Sequence, residues 1–126
     1  MGSNAGPAER VFKTAWFSKA SKKAKIPDAE LCKAIAQVML GQADDLGGGV
    51  FKKRLSKNEY RSIIVARAGQ FWVFEYLFAK KDMSNIGEED LVGFRKLTKR
   101  YQALTIGQMT QLIADGFWKE ICNEDC

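Results

Sequence analysis

The apolar residues of this chain change period twice, and each change marks a new block of structure. Glu9–Lys13 reads as a short opening strand. From Trp16 to Lys25 the pattern is helical, with Trp16, Phe17 and Ala20 predicted inward and Lys19, Lys22, Lys23 and Lys25 in solvent. Pro27 fits the first turn of a second helix, and Asp28 and Glu30 suit its positive dipole end. Leu31, Ile35, Val38 and Met39 recur at three- and four-residue spacing and give that helix its apolar stripe. Gly41 is its predicted stop.

After Gly47-Gly48-Gly49 the period shortens to two. Three strands are predicted, over Val50–Leu55, Tyr60–Arg67 and Gln70–Lys80. Ser56–Glu59 and Ala68-Gly69 are the short connections between them. The third strand is almost continuously apolar (Phe71, Trp72, Val73, Phe74, Tyr76, Leu77, Phe78), which predicts a central position in the sheet. Helical spacing returns over Ile86–Tyr101 through Leu91, Phe94, Leu97 and Tyr101. Thr105 and Gln108 match a capping box. They open a last helix with Ile106, Met109, Leu112 and Ile113 inward, which Gly116 ends. Phe117–Ile121 is predicted as a closing strand. The order is an α+β pattern, with N-terminal helices packed on a small antiparallel sheet and further helices after it. Residues 9–122 form the expected single domain, flanked by an arm over 1–8 and an acidic tail over 123–126.

Composition narrows the class. No run of 18 apolar residues exists to span a membrane, and the N-terminus lacks the apolar core of a secretory signal. Three cysteines (Cys32, Cys122, Cys126) are too few and too odd for a disulfide framework, so free thiols in a reducing cytoplasm are expected. Cys122 and Cys126 have C-x-x-x-C spacing, but the chain has no histidine to complete a metal site. Asp44-Asp45 and Glu88-Glu89-Asp90 are acidic runs of a kind that can bind cations, and the second reads more simply as the acidic first turn of a helix. No metal and no cofactor is expected. The glycine triplet precedes a strand rather than a helix, so it does not read as a phosphate loop.

Charge points to a partner. The window Gly47–Lys81 holds eight of the twenty basic residues and two of the fifteen acids, a formal charge of +6 that leaves −1 for the rest of the chain. A basic, aromatic-lined sheet suits a polyanion. Strand alternation puts Lys52 and Arg54 on one face of their strand and Phe51, Lys53 and Leu55 on the other. Phe51 and Leu55 read as core, which leaves Lys52 and Arg54 on the open side. Arg61 is in phase with Ile63, Val65 and Arg67, and Lys80 with Phe78, Tyr76 and Phe74. If register permits, Lys52, Arg54, Arg61 and Lys80 converge on one patch.

Such a patch suits cleavage of RNA by its own 2′-OH. That reaction needs a base, charge stabilisation on the phosphoryl oxygens, and an acid for the leaving 5′-oxygen. Arginine clamps a phosphate through parallel hydrogen bonds. A lysine crowded by other cations is pushed toward its neutral, basic form. Aromatic rings stack splayed bases. The plain structural alternative is that these cations only solubilise a sheet face or blunt an edge.

The run Leu46 to Leu55 (LGGGVFKKRL), Tyr60 with Arg61, and Phe78 to Lys80 followed by Ile86 resemble the RelE/HigB-like toxins of type II toxin–antitoxin systems. Leu112 to Gly116 (LIADG) with Glu120 and Ile121 is similar to the tail of one RelE-like subfamily, so the resemblance spans Val11 to Ile121. It implies a RelE/ParE-like fold and a metal-independent mRNA interferase acting on mRNA in the ribosomal A site. It also implies a cognate antitoxin. Carried over by position, Lys52, Arg54, Arg61 and Lys80 match the recurring basic positions. Lys52 or Lys80 is the implied base, Arg54 and Arg61 the phosphate clamps. Lys53, Tyr60, Tyr76 and Lys81 are the implied RNA contacts. Two departures stand out: the Leu55–Tyr60 segment is short and carries Glu59, and Lys81-Asp82 replaces a polar-acidic pair. The rival readings on the same scaffold are a ParE-like gyrase inhibitor without enzymatic activity and a degenerate RNA-binding relative.

Overall fold

The computed structural model describes residues 9–67, 69–82 and 86–122. The expected arm over 1–8 and the tail over 123–126 lie outside them. The elements run β1 (Arg10–Thr14), α1 (Ala15–Lys23), α2 (Asp28–Met39), β2 (Asp44–Gly47), β3 (Val50–Leu55), β4 (Tyr60–Arg67), β5 (Phe71–Ala79), α3 (Glu88–Gln102), α4 (Ile106–Ala114) and β6 (Trp118–Ile121). The fold is α+β. Its six-stranded sheet has the order β2-β3-β4-β5-β1-β6 and is antiparallel except where β1 lies parallel to β5. The central position predicted for the Phe71 strand is therefore found.

Both sheet faces are covered. Phe51, Leu55, Ile64, Ala66, Trp72, Phe74 and Leu77 pack beneath α1 and α2, with Phe17, Leu31, Ile35 and Val38. Val50, Ile63, Val65, Phe71, Val73 and Phe78 pack on the other side, with Phe94 and Tyr101 of α3 and Met109 of α4. The open side expected for Lys52 and Arg54 is narrower than their strand: Val50, in phase with them, is completely buried. That face is open only at its Arg54 end.

A bulge in β5 decides which side chains reach that end. Ile64 pairs with Phe74 while its neighbour Ile63 pairs with Tyr76, so Glu75 is an extra residue with no partner on β4. The extra residue flips the alternation. Phe74 faces α1, whereas Tyr76 and Phe78 face the α3 side. The predicted phase of Phe74 with Tyr76, Phe78 and Lys80 is corrected accordingly. Glu75 accepts a 2.8 Å hydrogen bond from the Tyr101 hydroxyl, and burial raises its pKa above the usual carboxylate range.

The glycine triplet serves packing. Gly48 and Gly49 have φ of +66° and +83°, and a Cβ on Gly49 would lie 2.7 Å from Thr98 of α3 and 2.9 Å from the Ala66 carbonyl. The side chain of Arg95 also donates to the Leu46 carbonyl, so α3 sits directly on this hairpin. Glu88, Glu89 and Asp90 occupy the first turn of α3, where the helix dipole favours them.

Several inward assignments shift. Trp16 is 50% exposed and Ile106 76%, because the buried stripes are Phe17 with Ser21 in α1 and Met109 in α4. Met39 also sits at the rim, 40% exposed. The capping box forms as predicted: Gln108 N donates to Thr105 Oγ1 at 3.0 Å, and Thr105 N donates to Gln108 Oε1 at 2.9 Å. The expectation of free thiols is overturned. The fold brings α2 beside the end of β6, and Cys32 and Cys122 form a disulfide with their Cα atoms 5.4 Å apart. These residues are 90 positions apart, a proximity that no local pattern reveals. Cys126, the other half of the C-x-x-x-C spacing, lies outside the described residues. No described helix is long and apolar enough to cross a membrane.

Candidate functional site

The site grows from the hairpin that joins β3 to β4. Ser56, Lys57 and Asn58 adopt positive φ values of 52°, 55° and 75°, a left-handed run that non-glycine residues rarely enter. Several contacts hold it. Ser56 N donates to the Glu30 carboxylate of α2, and Glu59 N donates to the Ser56 carbonyl at 3.1 Å. Arg61 Nη1 donates to the Asn58 carbonyl at 2.9 Å and to the Tyr60 carbonyl at 3.4 Å. Lys80 N then donates to the Glu59 carbonyl at 2.9 Å, tying the turn to the end of β5.

Register places the predicted cations within the last rows of this sheet end. Arg54 pairs directly with Arg61, and Arg61 with Phe78. Lys52 pairs with Ile63, and Ile63 with Tyr76. Lys80 follows Ala79, the partner of Tyr60. All four positions lie at the same end of the sheet, spread over several rows.

Lys52, Arg54 and Lys80 line three adjoining grooves, and Arg61 lines none of the three. Lys52, Lys53 and Arg54 face Gln42, Ala43 and Asp44 across a cleft of about 280 Å³ at the sheet edge. Arg54 and Lys57 share a groove of about 500 Å³ with Glu30, Lys33 and Gln37 of α2. Lys57, Glu59, Tyr60, Lys80 and Lys81 line a groove of about 670 Å³ on the other flank of the turn. Arg54 belongs to the first two grooves and Lys57 to the last two, so a cationic band wraps the turn. Glu59 lies within that band and reduces its charge locally.

The members of the band and the neighbouring Arg61 are held differently. Arg61 is only 7% exposed and its guanidinium is committed to the turn. Arg54 is exposed. Lys52 Nζ lies 3.6 Å from the Asp44 carboxylate. Lys53 Nζ donates to the Gln42 carbonyl at 2.9 Å. Burial lowers the Lys53 pKa below the ordinary lysine value, and the neighbouring charge of Arg54 lowers it further. The lysine with a loosened proton is therefore Lys53, which the sequence ranks below Lys52 and Lys80.

Aromatic rings continue the site along β5. Tyr76 lies 6.1 Å from Phe78 and 5.9 Å from Phe94, and Trp16 stacks on it at 5.0 Å with the ring planes 18° apart. Sequence reasoning misses Trp16 and Lys33 as members of this region. Helical phase gave Trp16 a place in the core, and Lys33 lies on α2, outside the basic window. Lys57 was visible within the +6 window but carried no mark of its own.

The family model for the RelE toxin of the RelE / RelB toxin-antitoxin system matches residues 9–121. No curated protein and no solved structure matches the chain significantly. The match takes in every described strand and helix, the glycine hairpin, the basic turn and the closing strand. The chain therefore belongs to the RelE toxin family of toxin–antitoxin systems.

Proposed function

We propose that this toxin is a metal-independent endoribonuclease that cleaves mRNA on the ribosome and so inhibits translation. The observation that carries the reading is the direct pairing of Arg54 with Arg61, with Lys52, Lys53 and Lys80 at the same end of the sheet. A message laid across this end meets a cation at every groove, and none of the proposed steps requires a histidine.

In this mechanism a lysine of the Lys52–Lys53–Arg54 run takes the proton of the 2′-OH. Lys53 is the stronger candidate, because its surroundings favour the neutral form while Lys52 is ion-paired. The 2′-oxygen attacks the adjacent phosphorus as the bond to the 5′-oxygen breaks. Arg54 stabilises the charge on the phosphoryl oxygens. Arg61 fixes the turn that presents them and lends its remaining donors. Lys80 gives a proton to the departing 5′-oxygen. The products are a 2′,3′-cyclic phosphate and a 5′-hydroxyl. Tyr60 and Tyr76 contact the bases, and Lys81 a flanking phosphate.

The cognate antitoxin covers the band with an acidic or amphipathic segment, or pins a helix against it. Expression of the chain without its antitoxin tests the reading: growth arrests and translated messages acquire new 5′ ends within codons. Intact messages accompanied by accumulating gyrase–DNA breaks overturn it.

A further inference from the structure

Trp16 is the one described tryptophan left in water: it is 50% exposed, against 9% for Trp72 and 3% for Trp118. One face of its indole lies on Tyr76, and among the described residues no second ring covers the other. Half-exposure of so large an apolar ring forgoes hydrophobic stabilisation. The stack nevertheless orients the ring, with its plane only 18° from that of Tyr76.

The position of this ring gives it a use. Tyr76 and Phe78 are neighbours on one face of β5, roughly 7 Å apart along the strand. Phe78 pairs with Arg61, which pairs with Arg54. Phe78 and Arg61 are buried, so the exposed cation on this line is Lys80, two residues past Phe78. From this we infer that Trp16 is the outer platform of the RNA track, on which an unpaired base stacks while its phosphates run toward the cationic band. Stacking on an oriented ring is tolerant of base identity, because every base has a π face. The inference rests on the ribonuclease reading and adds to it a positioning residue outside the grooves. A protein anchor is the rival occupant. The exposed Lys80 at the end of this line, within the cationic band, favours nucleic acid.

The test uses the full chain and a single-stranded 2′-O-methylated oligonucleotide with a terminal fluorophore, which has no 2′-OH to attack. Tryptophan emission falls in step with the rise in fluorophore anisotropy, since the other two indoles are buried. W16A weakens binding about 5- to 150-fold, the span expected for losing one stacked base, and W16F retains most of it. Thermal melts of the variants confirm folding, and the wild-type emission reads the contact without any substitution. Unchanged emission during binding, or coincident isotherms for W16A and wild type, overturns the stacking while leaving the ribonuclease reading intact. No binding in either readout also overturns it, and cleavage of translated messages then decides the ribonuclease reading separately. Emission that responds to the antitoxin but not to the oligonucleotide makes Trp16 a protein anchor and overturns the inference as well.

Discussion

Arg54 and Arg61 occupy opposed positions on the β3–β4 ladder, yet one guanidinium is exposed and the other is folded onto the carbonyls of its own turn. The two arginines therefore carry different burdens. Arg54→Ala is expected to abolish toxicity with little change in stability. Arg61→Ala removes toxicity and also leaves the Asn58 carbonyl without its donor, at a cost of about 1–3 kcal/mol. Urea melts of both variants beside growth assays separate the cases. Equal stability in the two would contradict the turn-holding role of Arg61.

Lys53 gives the proposed reaction a pH signature. Its folded pKa lies below that of a free lysine, and the base must be neutral, so cleavage on programmed ribosomes rises with pH and levels off below the ordinary lysine value. Arg54→Met removes one cause of the lowering and moves this limb to higher pH in whatever activity remains. Lys53→Arg loses the limb altogether. A profile in Lys53→Arg that overlays the wild-type profile would transfer the role of base to Lys52 or Lys80.

Glu75 links the β5 bulge to stability. Burial raises its folded pKa, so the folded state holds this proton more tightly than the unfolded chain does. No penalty exists below the unfolded value of about 4.3. The penalty grows as pH rises from there and is complete above the folded value. Gln in its place never ionises and still accepts from Tyr101. Glu75→Gln is therefore expected to raise the melting temperature at neutral pH, with the advantage shrinking toward zero in acid. An advantage that persists unchanged at pH 3 would show that ionisation is not its source.

The Cys32–Cys122 bridge joins α2 to the end of β6 across 90 residues of chain. Closing so long a loop restrains the unfolded ensemble, and reduction or Cys122→Ser should cost about 2–4 kcal/mol. Denaturant melts with and without reductant measure the difference. Superimposable curves would mean that the bridge does not form in the protein as isolated.

Much of this architecture was legible along the chain. Val50–Leu55 and Tyr60–Arg67 carry their own boundaries, because turn-forming residues flank a two-residue period. The capping box at Thr105 is equally local. β2 was not legible: four residues with two aspartates and a glycine carry no strand signal and pair only because β3 lies alongside. The disulfide was hidden for the same reason, since its partners meet only after folding. At the site, residue type and charge window pointed to Lys52, Arg54, Arg61 and Lys80. The division of Lys52, Arg54 and Lys80 among separate grooves, the burial of Arg61 and the loosened proton of Lys53 depend on the β3–β4 turn and the β2 edge. Trp16 escaped because a helix of nine residues fixes its inward side from only two buried positions.

The unpaired Glu75 has a consequence for how the family's chains can vary. Because Ile64 pairs with Phe74 and Ile63 with Tyr76, loss of Glu75 alone would close the β4–β5 ladder into a regular one and leave Tyr76 and Phe78 on their present face. A relative one residue shorter at this position can therefore keep the whole grouping while losing the hydrogen bond from Tyr101. Only a slip that paired Glu75 into the ladder would turn Tyr76 and Phe78 over to the other face.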